Sequence, residues 1–269
     1  GSTIPIEVLS GPHVTPPISW WADDGSVLYA LLQSRDARAV RLLVDPATGR
    51  ARTLIHEESA ARIDLHAYPS IPRLEPLEGA RRLRVTWIQP HNVRVIGAGR
   101  EIIWYSHRDG WGHLYLYDAH SGELKNRITT GPWVVHDVVH VDEQAGWLYF
   151  TAGGREPGRD PYYRHLYRVR LDGSGLELLT PEDADHSVIM SPNGRYFIDV
   201  YSRVDLPPVT VIRDAEGRFL MEVQRADVGP LLETGWQPPE RFRVKAADGV
   251  TDIYGVIFKP SDFDPSRRY

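Results

Sequence analysis

Arg108–Asp118 reads RDGWGHLYLYD, and the decision about the fold turns on this stretch. A polar, glycine-containing opening gives way to residues that alternate in character, and alternation at period two makes a half-buried strand with one face inward. Two echoes follow, Tyr162–Val169 (YYRHLYRV) and Pro208–Asp214 (PVTVIRD). Each is preceded by a second alternating run: Glu101–Ser106 (EIIWYS), Trp147–Thr151 (WLYFT) and Arg195–Ser202 (RYFIDVYS). The matching aromatics Trp104, Tyr149 and Phe197 recur at intervals of about 45 and 48 residues, within the range of a four-stranded propeller blade. An earlier copy is legible in Ser26–Gln33 (SVLYALLQ) and Val40–Asp45 (VRLLVD).

The expectation is an all-β chain, a partial β-propeller of four-stranded antiparallel blades; a β-sandwich has similar strands but rarely so regular a period. Four blades are expected. The first has strands near Ile18–Trp21, Ser26–Gln33, Val40–Asp45 and Ala51–His56, and the others span Asn92–Thr130, Trp133–Thr180 and His186–Val223. Ile4–Ser10 reads as a detached strand and Pro12–Pro17 as an entry loop. Between the first two blades, Glu57–Leu65 suits a short helix or edge strand, and Pro69–Arg84 a polar excursion before a strand at Arg84–Ile88. After a short helical piece at Val228–Thr234, the run GWQPP (Gly235–Pro239) marks a boundary. Residues 1–238 are thus assigned to blades and 239–269 to a further hairpin turning at Asp248–Gly249. Four blades leave edges unpaired, so a longer propeller is expected, completed by upstream residues or by a second copy in a homo-oligomer.

The 269 residues are 42% hydrophobic and 25% charged, enough to bury a core. Lys and Arg number 31 against 36 Asp and Glu, a net charge of −5 with no long block of one sign, which disfavours a nucleic-acid surface. Lysine occurs only at 125, 245 and 259, an arginine bias that genome composition explains. There is no cysteine, so neither disulfides nor thiolate metal sites arise. No apolar run is long enough to span a bilayer, and no membrane association is expected. Gly1–Ser2 reads as a residue of cloning, which would put the natural start and any targeting signal upstream; the cytoplasm is the default location.

Strand direction sorts the loops. In a four-stranded meander the second-to-third connection and the blade-to-blade connection emerge at one end, and the other two turns at the opposite end. Tight turns such as Asp118–Gly122, Asp172–Gly175 and Asp214–Gly217 fall at one end; His107–Gly112, Gly153–Tyr163 and Ser202–Pro208 fall at the other as longer, charged loops. In GGREPGRDPYYR (Gly153–Arg164), Arg155, Glu156, Arg159 and Asp160 sit between stiffening glycines and prolines, and Arg203 and Asp205 follow on the next such loop. These six are the candidates for binding substrate or another domain, against the plainer reading of a loop braced by its own ion pairs.

Other chemistry is not written in the chain. No Gly-x-Ser-x-Gly elbow occurs, so no catalytic residue is nominated. Carboxylates of glycosidase type, Asp142 with Glu143 or Glu182 with Asp183 and Asp185, cannot be paired across a cleft from sequence. His136 and His140 share a strand face without a third ligand, so no metal or cofactor is expected and a structural role is. His107 and His113 are read as packing, and Trp20, Trp21, Trp104, Trp111, Trp133 and Trp147 as filling between blades.

Several unconnected motifs then agree. RDGWGHLYLYD, TGPWV (Thr130–Val134), TAGGREPGRDPYYRHLYRV (Thr151–Val169), SPNGRYFIDVYSRVDLPPV (Ser191–Val209) and FRVKAADGVTDIYGVIFKPSDFDPSRRY (Phe242–Tyr269) together resemble the propeller of dipeptidyl peptidase IV-like serine peptidases of the prolyl oligopeptidase family, from about Asn92 to the end. The resemblance implies an eight-bladed propeller that admits peptides to an α/β-hydrolase domain with a Ser-Asp-His triad, releasing N-terminal dipeptides after Pro or Ala. The final hairpin would lead into that domain, which is absent here, so the chain alone should be inactive. The family's Glu-Glu pair for the substrate N-terminus has no match, since Glu57–Glu58 stands at the wrong place in the repeat. The partners implied are the C-terminal hydrolase domain and a peptide substrate; a stand-alone interaction propeller is the alternative.

Overall fold

The computed structural model describes residues 18–22, 25–33, 39–44, 51–58, 63, 73–76, 83–86, 92–260 and 262–268. Its strands are β1 (Ile18–Trp21), β2 (Leu28–Gln33), β3 (Ala39–Val44), β4 (Ala51–Glu57), β5 (Arg73–Pro76), β6 (Leu83–Thr86), β7 (Arg94–Ile96), β8 (Glu101–Ser106), β9 (His113–Asp118) and β10 (Leu124–Arg127). They continue with β11 (Val134–Asp142), β12 (Trp147–Gly153), β13 (His165–Arg170), β14 (Glu177–Leu178), β15 (Asp185–Met190), β16 (Tyr196–Arg203), β17 (Leu206–Asp214) and β18 (Phe219–Arg225). A short helix α1 (Gly229–Leu232) precedes the pair β19 (Glu240–Lys245) and β20 (Asp252–Ile257). Four antiparallel meanders, β1 to β4, β7 to β10, β11 to β14 and β15 to β18, are the blades of a partial β-propeller, as the repeat demanded. Ile4–Ser10, Pro12–Pro17 and most of the segment after Glu58 lie outside the described residues.

Contacts divide the chain into two compact units, Gly1–Arg155 with Arg168–Glu177, and Glu156–Tyr167 with Leu178–Tyr269. In the first, Tyr29, Ile55, Ile63, Ile102, Trp104, Tyr115 and Tyr117 form one buried cluster. These are the inward residues of the alternating runs, and their aromatic bulk fills the space between sheets.

Three expectations are corrected. Trp21 and Trp111 are exposed rather than packed. Trp20 stacks on Tyr29, so its neighbour Trp21 must point the other way, and Trp111 sits on the β8–β9 loop. Ser202–Pro208 is not a long loop: Arg203 pairs with Leu206, leaving the two-residue turn Val204–Asp205, and Pro208 contributes only its carbonyl, to the Ala226 amide at 2.9 Å. The excursion Pro69–Arg84 holds a strand, β5, paired with β6, and that second strand occupies Leu83–Thr86.

Candidate functional site

The second unit contains a cleft of about 820 Å³ whose walls include Asp160, Tyr163, Asp183, Arg203, Arg241 and Tyr254. Strand direction explains why they meet. The β12–β13 loop, the connection into β15 and the β16–β17 turn all emerge at one end of their blades, where Arg241 reaches both Tyr163 and Asp183, and Arg203 reaches Asp183. The β12–β13 loop is shaped locally: Gly158 adopts φ +77°, and Asp160 turns the chain by accepting the Tyr162 amide at 3.0 Å.

At the centre two arginines share two carboxylates. Arg203 donates from Nε to Asp205 Oδ1 at 2.9 Å and from Nη1 to Asp183 Oδ2 at 3.2 Å and the Asp183 carbonyl at 2.7 Å. Arg241, from β19, donates from Nε to Asp205 Oδ2 at 3.2 Å and lies 3.7 Å from Asp183 Oδ2 and 3.5 Å from the Tyr163 hydroxyl. Burial works against the charge on Asp205, but the hydrogen bond from Arg203 and the two guanidinium charges outweigh it and hold the carboxyl below its usual range. Asp185, also on the cleft wall, is held down against its burial by Arg164 at 2.6 Å.

Of the six candidates, Asp160, Arg203 and Asp205 gather at or beside this cleft. Arg159 instead braces the loop, donating to the carbonyls of Pro181 at 2.7 Å and Glu182 at 3.4 Å. Glu156 accepts the Tyr167 hydroxyl at 3.0 Å, and Arg155 belongs to the other unit. Sequence reading missed Arg241 and Tyr163 and named Asp183 only among the glycosidase-type carboxylates. Arg241 had a signal: in the alternating hairpin it stands on the charged face with Arg243 and Lys245.

Glu182, His186 and Asp199 bring ligand atoms within 4.8 Å of one another. Arg213 fills the role a cation would play there, donating to Asp199 at 3.1 Å and Glu182 at 2.5 Å, while His186 Nδ1 lies 2.8 Å from Asp199. The arrangement is a largely buried ion network organised around Arg213. The carboxylates of glycosidase type are likewise committed: Glu182 to Arg213, Asp183 to Arg203, Asp185 to Arg164, Asp142 to the Ala145 amide and Glu143 to the Gly97 amide.

In the first unit the Glu57 carboxylate is buried and fully engaged. It accepts Trp104 Nε1 at 2.9 Å, Ser106 Oγ at 2.6 Å and Arg108 Nη2 at 2.9 Å, and Arg108 in turn lies 4.5 Å over the Tyr115 ring. Glu57, to which no binding role was assigned, is the anchor of the RDGW loop. His113 and His165 serve equivalent braces: Leu114 and Leu166 amides both donate to a threonine hydroxyl, Thr129 and Thr180, at 2.9 Å, and each histidine Nδ1 lies within 3.1 Å of that threonine. The HLY echo is therefore structural. The His136 main-chain carbonyl accepts Asn92 Nδ2 at 2.7 Å.

The family described as "Dipeptidyl peptidase IV (DPP IV) N-terminal region" matches residues 2–208. Curated relatives include a probable dipeptidyl-aminopeptidase B of Neosartorya fischeri, 26% identical over 93% of this chain and 26% of its own length. One from Emericella nidulans is 30% identical over 68% of this chain and 21% of its length. The chain thus spans about a quarter of these relatives. Among solved structures, dipeptidyl peptidase 4 of Porphyromonas gingivalis aligns with a TM-score of 0.70 at 23% identity, over 93% of this chain and 32% of that one, a likeness of fold.

Proposed function

The chain belongs to the dipeptidyl peptidase IV N-terminal region family, and from that premise we propose that it is the non-catalytic, substrate-gating propeller of a serine exopeptidase releasing N-terminal dipeptides. Its partner is a C-terminal hydrolase domain of the same polypeptide, entered through hairpin β19–β20, and peptides reach that domain past the charged ends of the blades. The observation that carries the reading is the family match. It is supported by the gathering of Asp160, Arg203 and Asp205 at the loop-bearing end and by the lack of a Gly-x-Ser-x-Gly elbow in the 269 residues.

The test compares the 269 residues alone with a longer polypeptide that carries the hydrolase domain, on chromogenic dipeptides ending in Pro or Ala. The first should show no turnover and the second should. In the longer polypeptide, Arg203→Ala with Asp205→Ala should lower turnover several-fold by loosening the wall next to the hydrolase domain. Hydrolysis by the short chain, or an unaltered rate in the double variant, would count against the reading.

A further inference from the structure

Hairpin β19–β20 is tied to the rest of its unit in an unusual way. Its two strands pair only with each other, so no backbone ladder joins it to the blade β15 to β18. Its faces differ: the register sets Phe242 opposite Gly255 and Val244 opposite Ile253 on one side, Arg243 opposite Tyr254 and Lys245 opposite Asp252 on the other. Among the described residues, Arg241 is the hairpin side chain that makes polar contacts across the cleft, to Asp205, Asp183 and Tyr163. The joint that precedes it suits rotation. Residues 231–237 are exposed, Gly235 holds φ +85° with open space around it, and the buried Pro239 stands immediately before β19 as a pivot.

We infer that Asp183, Arg203, Asp205 and Arg241 form an ionic clasp that holds this hairpin across the cleft and releases it as salt screens the pairs. The inference rests on the geometry of the second unit and not on the peptidase reading. Asp205 is the shared member: one oxygen takes Arg203 and the other takes Arg241, so the turn β16–β17 grips the hairpin through a carboxylate already fixed in place. All four side chains are 21 to 41% exposed, which makes each pair individually weak and open to counterions. A clasp of such pairs shifts an opening equilibrium by only a few-fold to about tenfold, the range in which ionic strength can operate it. What opens is a cleft of about 820 Å³, within the size range of small-ligand and peptide sites.

Hydrogen exchange of the 269-residue protein, followed by mass spectrometry at about 20 and about 500 mM NaCl, tests this. The segment 240–257 should exchange roughly three to ten times faster at high salt, while 187–201 in the blade, which holds no clasp residue, stays constant as the internal reference for folding. Arg241→Gln should exchange fast at both salts, Asp205→Asn should reproduce that behaviour from the other side, and Arg241→Lys should fall between. Hairpin exchange that ignores salt, or an Arg241→Gln protein indistinguishable from its parent with the reference segment unchanged, overturns the clasp.

Discussion

His113 and His165 are buried at the same point of successive blades, and burial favours the neutral form of both. His113 Nε2 faces the Gly131 carbonyl at 2.8 Å and so donates. Its Nδ1 faces a threonine hydroxyl whose oxygen already accepts the Leu114 amide, so the hydroxyl proton is free to serve Nδ1, and the ring is satisfied when neutral. His165 Nδ1 lies 3.1 Å from the Thr180 carbonyl, and its Nε2 has no hydrogen-bond partner. Burial is the main cause that lowers both rings from their ordinary 6.5, and the neighbouring His186 adds to it for His165. A histidine depressed in the fold stabilises it above its unfolded value, and that contribution is lost as pH falls below 6.5 toward the folded value. The urea midpoint should therefore fall between pH 7.5 and pH 5.5. His165→Leu should flatten the dependence even where it lowers stability overall, and an equally steep profile in that variant would show that the protonation lies elsewhere.

The blades engage one another through a recurring turn. In each of the last three blades the third-to-fourth strand turn carries a glycine pressed against a main-chain carbonyl of the preceding blade's outer strand or the residue just after it. A Cβ on Gly122 would lie 2.2 Å from the Leu54 oxygen, on Gly173 2.9 Å from Arg127, and on Gly217 2.7 Å from Leu179. All three adopt positive φ, 77°, 88° and 82°, so glycine is required for both conformation and clearance. Gly217→Ala should cost about 1–3 kcal/mol in chemical denaturation, by strain together with a carbonyl that cannot move aside; at the solvent-facing turn glycine, Gly249→Ala should cost about 1 kcal/mol, the conformational part alone. The Asp-to-Gly turns were legible as turns because Asp118, Asp172 and Asp214 precede them, each accepting backbone amides. Their interlocking role was not, because closeness to another blade leaves no mark within so short a turn. The same limit applies to the site. Arg203 and Asp205 stood out as charges on a stiff segment, whereas Arg241 comes from 36 residues further on and Asp183 from the preceding connection, and only the fold unites them. Period-two alternation revealed the strands well because it is a local property; Ser202–Pro208 misled because two prolines suggest a loop, although a proline before the doubly paired part of β17 gives up no ladder bond.

At the largest scale one surface has no counterpart among the described residues of its own unit. Register aligns Ile189, Ile198, Ile212 and Met221 in a row across all four strands of the last blade, and Ile189, Ile198 and Met221 are 66%, 41% and 52% exposed. An apolar row of this kind across a whole sheet marks a face that packs on another. In the first unit, comparable faces are filled by aromatic residues of neighbouring sheets. The residues after β18 form a helix and a two-stranded hairpin and cannot supply a blade. The curated relatives are about four times as long as this chain, and under the proposal that it is part of such a polypeptide a further blade would cover this row. Burying an isoleucine contributes about 1.5–3 kcal/mol, and an aspartate in its place adds an unpaired charge. Ile198→Asp should therefore lower the melting temperature of a longer polypeptide by several degrees and leave that of the 269 residues nearly unaltered. If the 269 residues instead form a dimer that Ile198→Asp dissolves, the face belongs to a second copy, and equal melting shifts in both proteins would mean that it is covered within the chain itself.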